Sequence, residues 1–425
     1  MRALLRFVLP IVALAIPALA PRDAAAQQAC PVRLGGVLSL TGSMGPIGRF
    51  IGESAQMAVE HVNQAGGVLG CQIEFILRDD QNQPSVGVDA AKNLVEVSRV
   101  PALIGSISSG VSLPILTSVA VPGRVTMVSC CSTAPTFTTL GQQGQTQGYW
   151  FRTLPTGLVQ AVSAAKITTD RGWRRTVVFY VNTDFGVNQA RDYQRVVERL
   201  GGSAVMLIPF NENQPSYRAE VTQGLTANSD SMFLVGFPQD SATLLREWIA
   251  NGGSQNLILN NALRSDEFVR NVGARFLNNA WGMDNAQVEG PSVDAFNAAF
   301  RARFNREPNG PGLHTVYDAV VVVALAMQAG GAPVSGTTIR DNIRNVTGND
   351  GTVVVPGVEG LRQGLDLLRR GQRIRYVGAT GPLQFDQWGD VAGPALIWRV
   401  RDGQLVRDSV ITIEQMTELL RRVQG

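Results

Sequence analysis

From residue 32 onward, short apolar runs alternate with longer amphipathic stretches. The runs at 32–38, 73–77, 102–104 and 125–128 are rich in Val, Ile and Leu and read as buried strands. Between them, 48–64, 85–98 and 113–121 carry apolar residues at helical spacing, with Gly66-Gly67 marking where the first of these helices stops. This alternation predicts a parallel, doubly wound sheet. The rhythm restarts after Arg152-Thr153-Leu154-Pro155: helix 158–170, strand 176–180, helix 186–200, strand 204–207, helix 217–227, strand 231–235, helix 241–251 and strand 257–260. Two α/β units follow. A short strand at 280–283 precedes helices at 292–305 and 312–329, which read as the missing back layer of the first unit. Strands return at 383–386 and 395–400. The chain therefore crosses between units more than once. The stretch 348–360, a Val run punctuated by Gly, Asn, Asp and Pro, reads as an irregular insertion.

Composition fits this reading. A chain of 425 residues, 44% hydrophobic and 17% charged, exceeds one ordinary core and suits two lobes. Residues 1–26 have the layout of a cleaved secretory signal: Arg2 and Arg6, an apolar stretch over 7–19, then small residues ending Ala24-Ala25-Ala26 before Gln27. That stretch is short and broken by Pro10 and Pro17, and no later run reaches the roughly 20 apolar residues of a membrane span. Gln27-Gln28-Ala29 before Cys30 lacks the aliphatic residue of a lipid-anchor signal. The formal charge of +3 falls further once the signal is removed, so nothing steers the chain to nucleic acid or a bilayer.

In open parallel sheets ligands bind beyond the carboxyl ends of strands, which singles out the loops 40–47, 79–84, 105–112, 129–135, 182–186, 236–240 and 260–265. Two are Ser/Thr-rich: GSISSGVS at 105–112 and SCCSTAP at 129–135. Each leads into a possible helix start, so both could offer backbone N–H groups and hydroxyls to one anion, with a carboxylate as the natural guest. Ser109 and Thr133 are the carboxylate candidates, set against the plainer role of capping helices. Cys30 and Cys71 each precede a strand; if those strands are parallel neighbours, the two cysteines lie within disulfide reach. Cys130 and Cys131 are expected to be small, partly buried thiols rather than a vicinal disulfide or a nucleophile.

Catalysis has little to work with. His61 and His314 both sit in helical patterns as packing or surface residues, and no Gly-x-Ser-x-Gly elbow, zinc-protease His pair or phosphate-binding loop with Lys is present. Ser163-Ala164-Ala165-Lys166 has a nucleophile-pair spacing without companion motifs. Asp79-Asp80 ends a strand, where bonding to neighbouring loops is commoner than cation binding. No metal site and no cofactor are expected.

The run LGGVLSLTG, the segment AQMAVEHVNQAGGVLGCQIEFILRDDQNQPSVGVDAAKNLV, the turns GSISSGVSLPI and SCCSTAP, TDFG at 183–186 and GPLQFDQWGD at 381–390 together resemble the periplasmic leucine/isoleucine/valine-binding proteins. These are type I receptors of ABC importers, and the resemblance spans the chain after the signal. It implies two α/β lobes joined by three crossover segments, with a ligand cleft between them. The first lobe would comprise 30–154 and 284–380, the second 155–283 and 381–425. A monomeric periplasmic protein would close over a small ligand, a branched-chain or other aliphatic amino acid first of all, and deliver it to a membrane permease. The resemblance places the carboxylate site on Ser109, the Cys131 carbonyl region and Thr133, an aromatic wall on Phe185, and an apolar contact near Ile47; Ser132, between two of these, is a further candidate binding residue. Where the amino-acid binders carry an acid, this chain has Asn260-Asn261-Ala262-Leu263, and Phe237 stands where a tyrosine is expected. Either Asp184, Asp240 or Asp284 replaces that acid, or the ligand has no ammonium, as in relatives that bind amides, urea-like compounds or aromatic carboxylates.

Overall fold

In the computed structural model, which describes residues 30–424, five strands form the first sheet. They are β1 (Val32–Leu38), β2 (Ile73–Asp79), β3 (Ala102–Gly105), β4 (Thr126–Ser129) and β5 (Trp150–Arg152), all parallel and ordered β2-β1-β3-β4-β5. Strands covered on both faces read as continuous apolar runs, and β3 and β4 are buried at every residue. The signal expected over 1–26 lies outside the described residues.

The second sheet contains β6 (Arg175–Val181), β7 (Ser203–Phe210), β8 (Ser231–Val235), β9 (Leu257–Leu259) and β10 (Ala280–Asn285). A small third sheet holds β11 (Thr352–Val354), β12 (Ile374–Gly378) and β13 (Gly381–Pro382), after which β14 (Ala395–Arg401) and β15 (Gln404–Ile411) return to the second sheet. That sheet runs β15-β14-β10-β9-β8-β6-β7, with β14 and β15 forming an antiparallel edge. The chain crosses between lobes three times: after β5, after β10 and after β13. This is the expected class of fold, two doubly wound lobes joined by three crossover segments.

The helix Leu313–Gly330 backs the first sheet, lying against β3, β4 and the helix Gly45–Gln64. It is long and apolar enough to cross a membrane, yet 89% of it is buried in the protein, so it serves as the lobe's central core element. Its one acid is fully satisfied. Asp318 accepts bonds from Tyr376 Oη (2.8 Å), Ala379 N (2.6 Å), Thr380 N (2.9 Å) and Thr380 Oγ1 (2.6 Å), tying the helix to β12 and to the turn that leads into β13. Burial pushes its pKa up to about 6, against the pull of these donors. Gly378 must be glycine here, because a Cβ would stand 2.5 Å from the Asp318 carboxylate.

Several local expectations are corrected. Residues 348–360 are not wholly irregular: β11 lies within them and pairs in parallel with β12. Residues 383–386 form no strand beyond a single bridge from Phe385 to Val391, because Asp386 Oδ1 draws in the N–H groups of Trp388 (2.8 Å) and Asp390 (2.9 Å) and closes a turn. The strand β5, the edge strand β15 and the helix Ile413–Gln424 are additions to the pattern reading. Cys30 and Cys71 are joined, as their placement before adjacent parallel strands allows: Val32 pairs with Ile73, and the two cysteine Cα atoms lie 5.3 Å apart.

Candidate binding cleft

Strand ends from both lobes converge on one small cavity of about 30 Å³. From the first lobe come Met44, Ile47 and Ile51 after β1, Ile107, Ser108 and Ser109 after β3, and Cys130 and Cys131 after β4. From the second come Phe185 after β6, Phe237 after β8, and Asn261 and Ala262 after β9. Leu154, Asp284 and Asn285 border the first two crossovers, and Pro311 and Gly312 close the rim. Gly312 adopts φ +79°, and a Cβ there would meet Ile51 Cδ1 at 2.7 Å and Cys131 Sγ at 3.0 Å. A side chain at this position would intrude on the cavity wall.

The polar end of the cavity is a helix start. Ser108 is extended (φ −82°, ψ 137°), and the helix Ser109–Ile115 runs on through Leu116–Ala120. The N–H groups of Val111 (3.3 Å) and Ser112 (2.9 Å) close onto the Ser108 carbonyl, while those of Ser109 and Gly110 precede the first such bond and sit at the positive end of the helix dipole. A serine network holds this turn in place. Ser112 Oγ accepts from Ser106 N (2.9 Å), Ser129 Oγ donates to the Ser106 carbonyl (3.0 Å), and Ser132 Oγ donates to Ser112 Oγ (2.8 Å). Ser109 Oγ accepts from Ala134 N (3.2 Å), which stitches the β3 turn to the β4 turn.

Beneath the β4 turn lies Arg152, a fully buried cation. Its Nε bonds Asp390 Oδ1 at 2.6 Å, Nη1 donates to the carbonyls of Ser132 (3.2 Å) and Ala134 (2.9 Å), and Nη2 donates to Thr138 Oγ1 (2.7 Å). One guanidinium thus fixes the turn to the third crossover.

The predicted residues separate into two groups. Ile47, Ser109, Cys131, Phe185, Phe237 and Asn261 line the cavity; Ser132 and Thr133 do not. Ser132 spends its hydroxyl inside the network. Thr133 faces the crossover, where its carbonyl accepts from Gly157 N (2.7 Å) and its buried Oγ1 has no partner. The expectation of free thiols at 130 and 131 does not hold, because Cys130 and Cys131 form a vicinal disulfide on the cavity wall. Ser129 Oγ accepts from the N–H groups of Cys131 (3.2 Å) and Ser132 (3.0 Å), folding the chain back after β4. Ile51, Ile107 and Gly312 were not singled out in sequence. Ile51 follows Ile47 by one helical turn, which is the signal that could have found it.

The second lobe contributes rings and amides. Phe185 stands in the first turn of the helix Asp184–Arg199, whose N-cap Thr183 accepts from Gly186 N (3.4 Å). Its ring stacks with Phe237 at 5.8 Å between centroids. Asn260 Oδ1 accepts from Gly236 N (3.1 Å), locking the β8 and β9 turns together beside Asn261.

Acids near the cleft are engaged elsewhere. Asp284 bonds Arg264 Nη1 (3.0 Å) and Asn285 N (2.7 Å). Asp184 accepts from Thr136 Oγ1 (3.0 Å) across the lobe boundary, and Asp240 accepts from Tyr217 Oη (2.7 Å) and Asn213 N (2.9 Å). Burial raises the pKa of all three above the ordinary aspartate value. Glu212, also raised chiefly by burial, takes bonds from Ser43 Oγ and Asn82 Nδ2 of the first lobe, both 2.5 Å. Asp79 and Asp80 bond loop partners: Thr41 Oγ1 donates to Asp79 (2.5 Å) and Ser106 Oγ to Asp80 (2.5 Å). Ser163 bonds back to the Val159 carbonyl and Lys166 pairs with Asp170, so their spacing builds no site. His314 is buried, driven down to about 3 by desolvation with Arg264 acting the same way, and bonds Asn297 Oδ1 (3.0 Å); neither His314 nor His61 lines the cavity.

A larger concavity of about 680 Å³ lies on the second lobe between the helices Gly157–Asp170 and Ile413–Gln424. It shares no lining residue with the cleft, is bordered by charged side chains such as Lys166 and Glu418, and is floored by Arg171 stacked on Trp281 at 3.4 Å. The convergence of strand ends from both lobes favours the smaller cavity as the ligand site.

Residues 31–364 match the sequence model of a family described as periplasmic binding protein. A chemotactic signal-transduction substrate-binding protein of Halobacterium salinarum is 26% identical over 357 residues, covering 83% of this chain and 82% of its own length. The leucine-, isoleucine-, valine-, threonine- and alanine-binding protein of Pseudomonas aeruginosa is 25% identical over 293 residues, 69% of this chain and 76% of its own. Among solved structures, a leucine-binding protein of Thermotoga maritima superposes with a TM-score of 0.76 at 21% identity, covering 90% of this chain and 99% of that one. A solute-binding protein of R. palustris in complex with 4-hydroxybenzoate does so with a TM-score of 0.70 at 15% identity, covering 89% and 95%. These structures share the two-lobed fold.

Proposed function

Because the chain belongs to the periplasmic binding protein family, whose members described above bind ligands rather than transform them, we propose that it is the periplasmic receptor of an ABC importer and captures a small carboxylate-bearing molecule. One observation carries the reading: the helix start at Ser108 and Ser109 opens into the same cavity as the Phe185–Phe237 pair. The N–H groups of Ser109 and Gly110 and the Ser109 hydroxyl hold the carboxylate, and the rings cover its apolar part. Charge-assisted hydrogen bonds contribute about 1.5–3 kcal/mol each, while association costs roughly 4–15 kcal/mol, so the apolar cover must supply the balance. A volume of about 30 Å³ admits little more than water, so a guest enters only when the lobes part about the three crossovers and is then enclosed. The closed form of a monomer is what the permease reads.

Calorimetric titration of the mature protein with aliphatic amino acids, aliphatic and aromatic carboxylates, and amides tests this. Saturable binding of at least one carboxylate is expected; heat from none of them would end the proposal. The similarity to the H. salinarum chemotactic protein favours a second reading, in which the closed receptor signals to a membrane transducer. Ligand physics is the same in both, and co-purification of the liganded receptor with a permease or with a transducer separates them.

A further inference from the structure

The cavity has an anion-binding end but no free anion of its own. Asp284 is the one acid lining it among the described residues, and both its oxygens are taken: Oδ2 by Arg264 Nη1 at 3.0 Å and Oδ1 by Asn285 N at 2.7 Å. The pair is nearly dry, with 15% of the Arg264 side chain and 4% of the Asp284 side chain exposed. Asp284 therefore brings no net negative charge to that wall. Asp184, Asp240 and Glu212 lie outside the lining and are bonded to Thr136, Tyr217 and Ser43 respectively; Asp184 and Asp240 each keep one buried Oδ2 without a partner, away from the cavity wall. The other polar side chains opposite the serine turn are neutral amides. Asn261 and Asn285 each hold a buried Oδ1 without a partner.

An enclosed ammonium needs a compensating charge, or it carries a desolvation penalty of several kcal/mol. A neutral hydroxyl or amide N–H needs only an acceptor, and two stand ready. Resting on the carboxylate reading above, we propose that the ligand is a carboxylate without an α-ammonium group, with an apolar or aromatic body and an uncharged hydrogen-bond donor at its far end. Asn261 selects against amino acids. The carboxylate docks at Ser109, the body lies between the Phe185–Phe237 rings and the Cys130–Cys131 disulfide, and the distal donor meets Asn261 or Asn285.

Matched pairs test this by calorimetry on the mature protein: L-leucine against 4-methylpentanoate, and L-tyrosine against 3-(4-hydroxyphenyl)propanoate. Each acid lacking the amine is expected to bind at least about tenfold more tightly than its amino acid, a conservative share of the cost of an uncompensated buried charge. Equal or tighter binding of the amino acids overturns this inference and leaves the carboxylate receptor standing. Binding by none of the four, with 4-methylpentanamide bound instead, overturns both. An Asn261→Asp variant, checked for a native thermal melt, should reverse the preference by restoring a counter-charge. A folded variant with unchanged ranking would remove Asn261 from the selective role.

Discussion

Ser106, Ser112, Ser129 and Ser132 on the first-lobe face of the cleft are bonded to one another and to Arg152, whereas Phe185 and Phe237 on the opposing face meet as two rings, with Asn261 left partly unpartnered. One side is a cross-braced polar floor with its donors already oriented. The other is an apolar cover with little directional bonding into the cavity. Oriented donors recognise what guests share, and an apolar cover with amides recognises where they differ. Affinity for a carboxylate should thus belong to the floor, and the choice among carboxylates to the cover.

Removing Arg152 is the most drastic way to break this contrast. Arg152→Met leaves Asp390 buried without its cation and the carbonyls of Ser132 and Ala134 without their donor, and should cost about 3–5 kcal/mol of stability. Chemical denaturation followed by circular dichroism measures it; a loss under about 1 kcal/mol would mean the floor does not depend on this brace.

Smaller in effect, and aimed at the division of labour itself, are substitutions on either face. Ser109→Ala should weaken every carboxylate by a similar factor, about 10-fold or more for one charge-assisted bond. Phe185→Ala should cost a comparable amount for guests with large apolar bodies, about 1.5–3 kcal/mol, and much less for small ones, so that the ranking of ligands changes. Titration of the same panel against both variants compares the patterns; a reshuffled ranking with Ser109→Ala would contradict the contrast.

The smallest effect concerns pH. Burial, with Asp240 acting the same way, raises the Glu212 pKa in the closed form against the pull of the Ser43 and Asn82 donors, and opening returns that carboxylate toward water. The closed form then binds more protons than the open form, so affinity should rise as pH falls through the region just above the ordinary carboxylate range and level off at neutral pH. Glu212→Gln should flatten this dependence, and titration of one ligand at a series of pH values checks it.

Much of the cleft could be read from residue order. Strand-ending loops follow from period and composition, and parallel topology makes them converge, which is why Ile47, Ser109, Phe185, Phe237 and Asn261 line one cavity. Ser132 and Thr133 stand off the lining because consecutive residues in a turn point in different directions, and only the fold decides which hydroxyl meets a neighbouring serine. Arg152 and Asp390 were invisible for a different reason: their partnership spans two crossovers, and nothing local in either segment announces it. The Cys130–Cys131 bond likewise depends on how sharply the chain turns after β4. The two-residue β13 and the short β11 are paired more by their neighbours than by their own residues.

The helix Leu313–Gly330 backs strands that leave the ribosome well before it does, and the whole parallel part of the second sheet is made in between. During synthesis the apolar rear of β3 and β4 therefore has no cover, and the first lobe can mature only after its neighbour's strands exist. A chain stopped anywhere before that helix would yield neither a half-receptor nor a soluble lobe, but a sticky sheet awaiting its lining. Folding of such a chain rewards holding the entire polypeptide open until that helix is in place.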